Sequence, residues 1–251
     1  MRSFLTLLAI ALSCASANAQ TLKILTAGAF KQVAAEFVPA FEKETGVKVD
    51  LQNATAGALI KRISEGEAFD LVFLTPAGLN DMARAGKVDS GSVKPVARVA
   101  IGMAVKAGAP KPLISTVEEF KQAVLQASKV AYIDPASGGS SGIYLDGLFK
   151  RLGISEQVKS KAVLVPGGYA AERVTNGQAD LAIHQVSEIL PVDGVVLVGL
   201  LPPDIQNYTT YGYGISTNTP NQSLARKFIN SISSPAAAEV IRAKGMQAVG
   251  E

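Results

Sequence analysis

Short apolar runs alternate with amphipathic segments along most of the chain. Runs such as 22–25, 69–74 and 130–133 have the length and composition of β-strands, and segments between them, such as 30–44, repeat apolar residues at helical spacing. The run 69–74 is apolar at nearly every position, which is typical of a parallel strand covered on both faces. This alternation predicts an α/β fold built on doubly wound, parallel sheets.

Two further strand patterns indicate how the chain is divided. The apolar run 96–105 is interrupted only by Arg98 and Gly102, which predicts a strand that passes from one lobe into a second. The stretch 208–216 alternates aromatic residues with Thr and Gly and predicts a strand that returns. We therefore expect two doubly wound lobes joined by crossing strands. Lobe 1 would contain residues 20–98 and 207–251, and lobe 2 residues 99–206.

A Gly/Ser-rich stretch between a predicted strand and a predicted helix carries the clearest candidate chemistry. The stretch 134–144 contains three glycines, and the hydroxyls of Ser137, Ser140 and Ser141 can each donate a hydrogen bond. The helix predicted over 141–152 begins there, and unpaired N–H groups at a helix start favour a negatively charged ligand. The stretch therefore predicts one wall of a site for a small anion.

The first residues have the pattern of an export signal. Residues 1–19 combine the basic Arg2, an apolar run and the small-x-small sequence Ala17-Asn18-Ala19, which predicts a signal peptide cleaved after Ala19. No other stretch approaches the roughly 20 apolar residues of a membrane span. We therefore expect a soluble protein in the periplasm. Lipidation of Cys14 is the alternative, and it would anchor the protein to a membrane.

Charge and cysteine content exclude several classes of function. Removal of the predicted signal peptide takes the basic residues from 24 to 23, against 21 acidic residues, and they form no block that favours nucleic acid. The only cysteine, Cys14, lies in that signal, so thiol catalysis and disulfides are excluded from the mature chain. His184 is the only histidine, which argues against a transition-metal site. We expect no metal and no cofactor.

Several motifs along the chain form a connected pattern: Thr45-Gly46-Val47-Lys48-Val49, Phe69-Asp70-Leu71-Val72-Phe73, Asp134-Pro135, Gly142-Ile143-Tyr144, Gly177-Gln178-Ala179-Asp180 and Ser234-Pro235-Ala236. They resemble the periplasmic solute-binding proteins of ABC importers, most closely the molybdate-binding family. The resemblance implies the type II periplasmic-binding-protein architecture, with a small anionic ligand held in a cleft between two lobes that close around it. It also implies delivery of the ligand to an ABC permease in the inner membrane, without catalysis, and we expect a monomer.

The resemblance also implies where the ligand binds. In that family, backbone N–H groups at helix starts, serine hydroxyls and a tyrosine hold the oxyanion. Carried onto this chain, the corresponding loops place the ligand against Ala27, Gly28, Ala29, Phe30, Thr55, Ala56, Gly57, Ser137, Gly139, Ser140, Ser141, Tyr169, His184 and Gln185.

The chain departs from the family pattern at several of these positions. Ala29 stands where molybdate binders place a serine, and His184 stands at the tyrosine position. The Gly/Ser-rich stretch 134–144 is also longer. These differences leave two ligands open, a molybdate-like oxyanion and a small organic carboxylate.

Two alternative functions remain beside anion transport. Gly138-x-Ser140-x-Gly142 matches the nucleophile pattern of serine hydrolases, with Asp180 and His184 in the required chain order. A binding protein that serves a sensor partner is the other alternative. We interpret the tyrosines of 208–216 as core residues and Lys31 and Arg173 as solvated cations.

Overall fold

The computed structural model describes residues 20–250, so the predicted signal peptide and Cys14 lie outside the described residues. No helix within this range is long and apolar enough to cross a membrane. The strands are β1 (Thr21–Ala27), β2 (Lys48–Ala54), β3 (Leu71–Leu74), β4 (Lys94–Lys106), β5 (Val130–Ile133), β6 (Ala162–Val165), β7 (Leu181–Gln185), β8 (Val195–Leu200), β9 (Tyr208–Ile215) and β10 (Gln247–Ala248). The helices are α1 (Lys31–Thr45), α2 (Ala56–Ser64), α3 (Pro76–Arg84), α4 (Val117–Gln126), α5 (Ser140–Arg151), α6 (Ser155–Lys159), α7 (Glu172–Thr175), α8 (Val186–Ile189), α9 (Gln222–Ile232) and α10 (Pro235–Ala243).

Hydrogen bonds between strands join the two parts of the molecule. In one part β1 pairs in parallel with β2 and β3, and β9 runs antiparallel to β3. In the other part β5 pairs in parallel with β6 and β7. The long strand β4 belongs to both, because residues 94–100 pair with β9 and residues 101–106 pair with β7 and β8. We call the part built on β1–β3 the first lobe and the part built on β5–β7 the second lobe.

The predicted α/β fold with crossing strands is confirmed. The hydrogen-bonded order β2-β1-β3-β9-β4-β7-β5-β6 has β9 and β4 at its centre, where the two lobes meet. The predicted lobe boundaries stay predictions. Strand β4 continues without a break through the first predicted boundary, between residues 98 and 99.

Alternation along the strands places a hydrophobic core on each face of the first-lobe sheet. Leu71 and Phe73 of β3 pack into one cluster with α1 and α9, whereas Val72 and Leu74 pack into another with α2 and α3. Each face therefore needs a helical cover, which explains why β3 is apolar at every position. Truncation of a fully buried aromatic such as Phe73 to alanine would destabilise the lobe by about 3–5 kcal/mol.

The structure adds short helices that the sequence pattern does not indicate. Helix α8 follows β7 directly inside the apolar stretch 181–190, and α6 lies between α5 and β6. Helix α7 is likewise a single turn, which begins at Glu172. A single helical turn contains too few residues to show a 3.6-residue period, so these elements escape a search for periodicity.

Candidate functional site

The carboxyl ends of four strands meet between the two lobes. Strands β1 and β2 lead into the starts of α1 and α2, and strands β5 and β7 lead into α5 and α8 from the opposite side. Each helix start has backbone N–H groups without an intrahelical partner. Open α/β sheets bind ligands in the crevice at the carboxyl ends of their strands. This crevice, called the cleft below, is therefore the candidate site.

The empty space at the cleft is about 360 Å³, which includes the part open to solvent. Polar groups from both lobes reach it, among them hydroxyls, an imidazole, two side-chain amides and a carboxyl group. Its lining consists of Ala27, Gly28, Ala29, Asn53, Ala54, Thr55, Ala56, Ile133, Gly139, Ser140, Ser141, Gly168, His184, Gln185, Glu188 and Tyr211.

Most of the residues predicted from the sequence come together in the cleft, but four lie elsewhere. Phe30 is fully buried and stacks on Phe73, with ring centroids 4.6 Å apart, so it is a core residue. Gly57, Ser137 and Tyr169 lie at contacts between the lobes. The residues that do line the cleft are Ala27, Gly28, Ala29, Thr55, Ala56, Gly139, Ser140, Ser141, His184 and Gln185.

The two lobes touch directly beside the cleft. The N–H of Gly57 donates to the carbonyl of Gly138 at 3.1 Å, and the Thr55 hydroxyl donates to the carbonyl of Ser137. At the rim, Gln32 of the first lobe donates to the hydroxyl of Tyr169 in the second. These bonds describe a closed arrangement of the lobes.

Several buried polar groups at the cleft lack a partner. Gln185 is 2% exposed and accepts a hydrogen bond from the Tyr211 hydroxyl at 3.0 Å. Among residues 20–250, neither the Gln185 Nε2 nor the His184 Nδ1 has a hydrogen-bond partner. Buried polar atoms in folded proteins are nearly always paired, so these groups indicate a place for a ligand or ordered water.

Tyr211 joins the core to the cleft. The ring packs in the first-lobe core, as the sequence interpretation expects, but the hydroxyl reaches the cleft and contacts both Gln185 and Ser140. Burial, together with the charge of Glu188, raises the pKa of Tyr211 above its ordinary value. The hydroxyl therefore stays protonated at physiological pH and acts as a donor.

His184 and Glu188 form a buried pair. The His184 Nε2 and the Glu188 Oε2 are 3.2 Å apart, and the two side chains are 1% and 9% exposed. Burial lowers the pKa of His184 to about 3 and raises the pKa of Glu188 to about 8, because each charged form loses its hydration. At neutral pH the pair is thus mainly a neutral imidazole beside a neutral carboxyl group, although its geometry would permit an ion pair.

Glu188 is the functional candidate that sequence reasoning missed. It lies four residues after the only histidine, within an apolar stretch that reads LAIHQVSEIL from residue 181. An acidic residue in a segment without any other charged residue is the one feature of the sequence that points to it, since isolated acidic residues are rarely buried.

One cation lies close to this cleft. Lys31, at the start of α1, is half-buried, and its ammonium lies 5.7 Å from the centroid of the Tyr169 ring. Its positive charge acts on Glu188 and lowers the pKa of that group against the larger effect of burial. Lys31 therefore lies near the cleft and is not the fully solvated cation that the sequence predicts. Arg173, by contrast, donates a hydrogen bond to the side chain of Gln178 on the surface.

The serine hydrolase alternative lacks its triad. Asp180 lies at the opposite end of β7 from His184, and its carboxylate accepts the backbone N–H groups of Ser128 and Lys129. The carboxyl group beside His184 is that of Glu188. Asp180 therefore cannot orient the imidazole as a hydrolase requires.

A larger pocket of about 650 Å³ lies at the amino ends of the first-lobe strands, away from the cleft. Its acidic groups already have partners: Asp70 accepts from Thr219 and Asn221, and Glu67 pairs with Lys23. We therefore regard the cleft, with its unpaired buried groups, as the functional site.

Comparisons with known proteins agree with the two-lobe fold. Residues 22–247 match the family model described as bacterial extracellular solute-binding protein. A curated relative, the Aconitate isomerase of a Pseudomonas species, is 34% identical over 235 residues, which cover 91% of this chain and 88% of the relative.

Two solved structures show the same fold at low identity. The periplasmic molybdate-binding protein of Azotobacter vinelandii superposes with a TM-score of 0.73 at 19% identity, covering 90% of this chain and 98% of the other. The L-phospholactate-bound structure of PEB3, a Campylobacter jejuni protein, superposes with a TM-score of 0.67 at 16% identity, covering 90% and 99%. The predicted type II architecture, and the resemblance to molybdate-binding proteins, are confirmed.

Proposed function

Because the chain belongs to the family of bacterial extracellular solute-binding proteins, we propose that it binds a small organic anion with more than one carboxylate between its lobes. The observation that carries this proposal is the set of buried, unpaired polar groups at the cleft, the Gln185 amide and the His184 Nδ1. A dehydrated carboxylate held by several neutral donors would satisfy them.

Three features favour a carboxylate over a tetrahedral oxyanion. Ala29 and Ala56 line the cleft with methyl groups, which donate no hydrogen bond to a small oxyanion. The unpaired Nε2 of Gln185 can donate to a carboxylate oxygen, and the Tyr211 hydroxyl holds this amide in place by donating to its Oε1. The 34% identical relative acts, by its name, on aconitate, which carries three carboxylates.

A panel of ligands tests this proposal. We expect cis-aconitate, trans-aconitate and citrate to raise the melting temperature in a thermal-shift assay, and molybdate, tungstate and sulfate to leave it unchanged. Gln185→Ala should weaken acid binding about tenfold, by removing a hydrogen bond to a charged group. Gln178→Ala, which removes a surface amide bonded to Arg173, is the matched control and should bind normally. Stabilisation by the tetrahedral oxyanions alone would refute the carboxylate site.

We also propose that the protein works in the periplasm as a monomer and hands its ligand to an ABC permease. Membership in an extracellular family supports the location, and the lobe contacts support capture by closure. A strain without the gene should lose uptake of the labelled acid. Normal uptake, together with an altered transcriptional response to the acid, would favour a sensor partner instead.

The second candidate function is isomerisation of the bound acid. It is favoured by the relative named Aconitate isomerase and by a carboxyl group, that of Glu188, in the cleft lining. Incubation of the protein with trans-aconitate should then produce cis-aconitate, detected by proton NMR. Unchanged acid after prolonged incubation with protein that binds it would leave binding as the whole function.

A further inference from the structure

The carboxyl group of Glu188 is not explained by anion binding alone. It lines the cleft beside the unpaired donors, yet an ionised carboxylate there would repel a negatively charged ligand. The carboxyl group pairs with the His184 imidazole, whose Nε2 lies 3.2 Å from Oε2. The side chain of Gln or Ser would donate to an anion without this repulsion, so we infer that Glu188 has a role other than binding.

The opposite wall leaves space for this carboxyl group. A Cβ added at Gly28 would lie 2.4 Å from the Glu188 Oε1, closer than any real contact. Gly28 is not in the left-handed region, so its backbone does not demand a glycine. The absence of a side chain at residue 28 is therefore what lets the carboxyl group reach the cleft.

The titratable groups around Glu188 and its burial suit proton exchange near neutral pH. The groups that face it are His184 on the preceding strand, Lys31 on α1 and the Tyr211 hydroxyl on β9. Burial raises the pKa of Glu188 to about 8, opposed by Lys31, and keeps His184 neutral. A group whose pKa lies near the ambient pH can both remove and return a proton efficiently.

We propose that Glu188 is the catalytic residue that exchanges a proton with a carbon atom of the bound acid, and that His184 is a positioning residue for it. This inference rests on the organic-acid site proposed above. The substrate class is an unsaturated polycarboxylate with a CH2 group between a carboxylate and a C=C bond. Both isomers of aconitate belong to this class.

The proposed proton exchange needs no reactant other than Glu188 and the bound acid. The carboxylate form of Glu188 takes a proton from the CH2 carbon, and the C–H electron pair enters the conjugated system as a dienolate. Protonated Glu188 then returns the proton to the same carbon or to the far end of the allylic unit. Return to the far end moves the double bond, and the electrons stay within the ligand throughout.

Exchange in heavy water tests the inference. Wild-type protein is incubated with cis- or trans-aconitate in D2O, and deuterium incorporation is followed by proton NMR and mass spectrometry. We expect exchange into the acid, at a rate that rises with pH as the basic form of Glu188 is populated. Glu188→Gln should slow exchange at least 100-fold yet still bind the acid, because its neutral amide keeps a contact to His184. Glu172→Gln, which changes an exposed carboxylate on α7, should exchange normally.

Two further variants separate a chemical role from a structural one. Glu188→Asp keeps the carboxyl group and should retain part of the exchange, whereas His184→Gln should shift the pH at which exchange is half-maximal. Exchange by Glu188→Gln within threefold of wild type would overturn the inference, as would a wild-type protein that binds aconitate without exchanging it. Absence of binding by wild type would instead overturn the organic-acid site itself, and the thermal-shift signal distinguishes these results.

Discussion

At the scale of single residues, burial decides how the site responds to pH. The pKa of Glu188 is raised from 4.5 to about 8, so between these values the unfolded chain releases a proton that the folded chain keeps. The free energy of unfolding therefore falls as pH rises through this window. His184, with its pKa lowered to about 3, contributes the opposite slope below pH 6.5.

Between pH 6.5 and 8 the proton of Glu188 has the larger effect, because His184 is neutral in the folded chain and at least half neutral in the unfolded chain. We expect wild type to lose roughly 1.3 kcal/mol of unfolding free energy across this window, since the limiting slope is about 1.4 kcal/mol per pH unit and His184 opposes it near pH 6.5. Glu188→Gln should lose much less, since its amide does not ionise. Urea unfolding at the two pH values measures the difference, with Glu172→Gln as control. An identical slope in wild type and Glu188→Gln would show that Glu188 titrates normally.

At the scale of elements, the start of α2 and the turn before α5 form the contact that closes the cleft. Their backbones meet at Gly57 and Gly138, where a Cβ on Gly57 would lie 2.8 Å from the Cα of Gly138. A close approach of this kind is possible only between glycines. The first lobe also donates here to the second, through the Gly57 N–H and the Thr55 hydroxyl.

The added methyl of Gly57→Ala should hold the lobes apart and weaken ligand binding. An overpacked contact costs about 1–3 kcal/mol, which corresponds to a loss of affinity of roughly 5- to 150-fold. Titration calorimetry with the acid identified by the panel measures this loss. Gly147→Ala in α5 is the control, because its Cβ would meet only the Arg151 side chain, at 3.6 Å. Equal affinity in Gly57→Ala and wild type would mean that closure does not need this contact.

At the scale of the whole molecule, β4 and β9 are the elements on which the lobes can move. Both lie at the centre of the strand order, and β4 changes partners between Ala100 and Ile101. A ligand that contacts both lobes shifts the population towards the closed arrangement by its preference for that state. The hydrogen bonds between the lobes describe its end point.

We expect the bound acid to reduce the radius of gyration, measured by small-angle X-ray scattering. At a ligand concentration of 100 times Kd it should also stabilise the protein by about 2.7 kcal/mol. In a chain of this size, each kcal/mol of added stability raises the melting temperature by roughly 2–4 °C. Gly57→Ala should show less compaction at equal occupancy. An unchanged radius of gyration would mean that binding occurs without closure.

The sequence alone determined the architecture and much of the cleft wall. The order of strands and helices, the crossing run 96–105 and the Gly/Ser-rich stretch 134–144 follow from local patterns of apolar and small residues, which report burial and turn geometry directly. Residues such as Ala27, Thr55 and Gln185 were predicted at the cleft from the resemblance to the molybdate-binding family, and they line it in the structure.

Only the tertiary structure decided which polar groups meet. Glu188 lies in an apolar stretch, and the Tyr211 hydroxyl reaches Gln185 from a strand 26 residues further along the chain. Phe30, by contrast, turns from the predicted site into the core. Periodicity indicates that a side chain is buried but not which side chain it faces, because that depends on packing between segments distant in sequence. The pair of His184 and Glu188 is local, but β7 ends and α8 begins between the two residues, so no single periodicity predicts that they face each other.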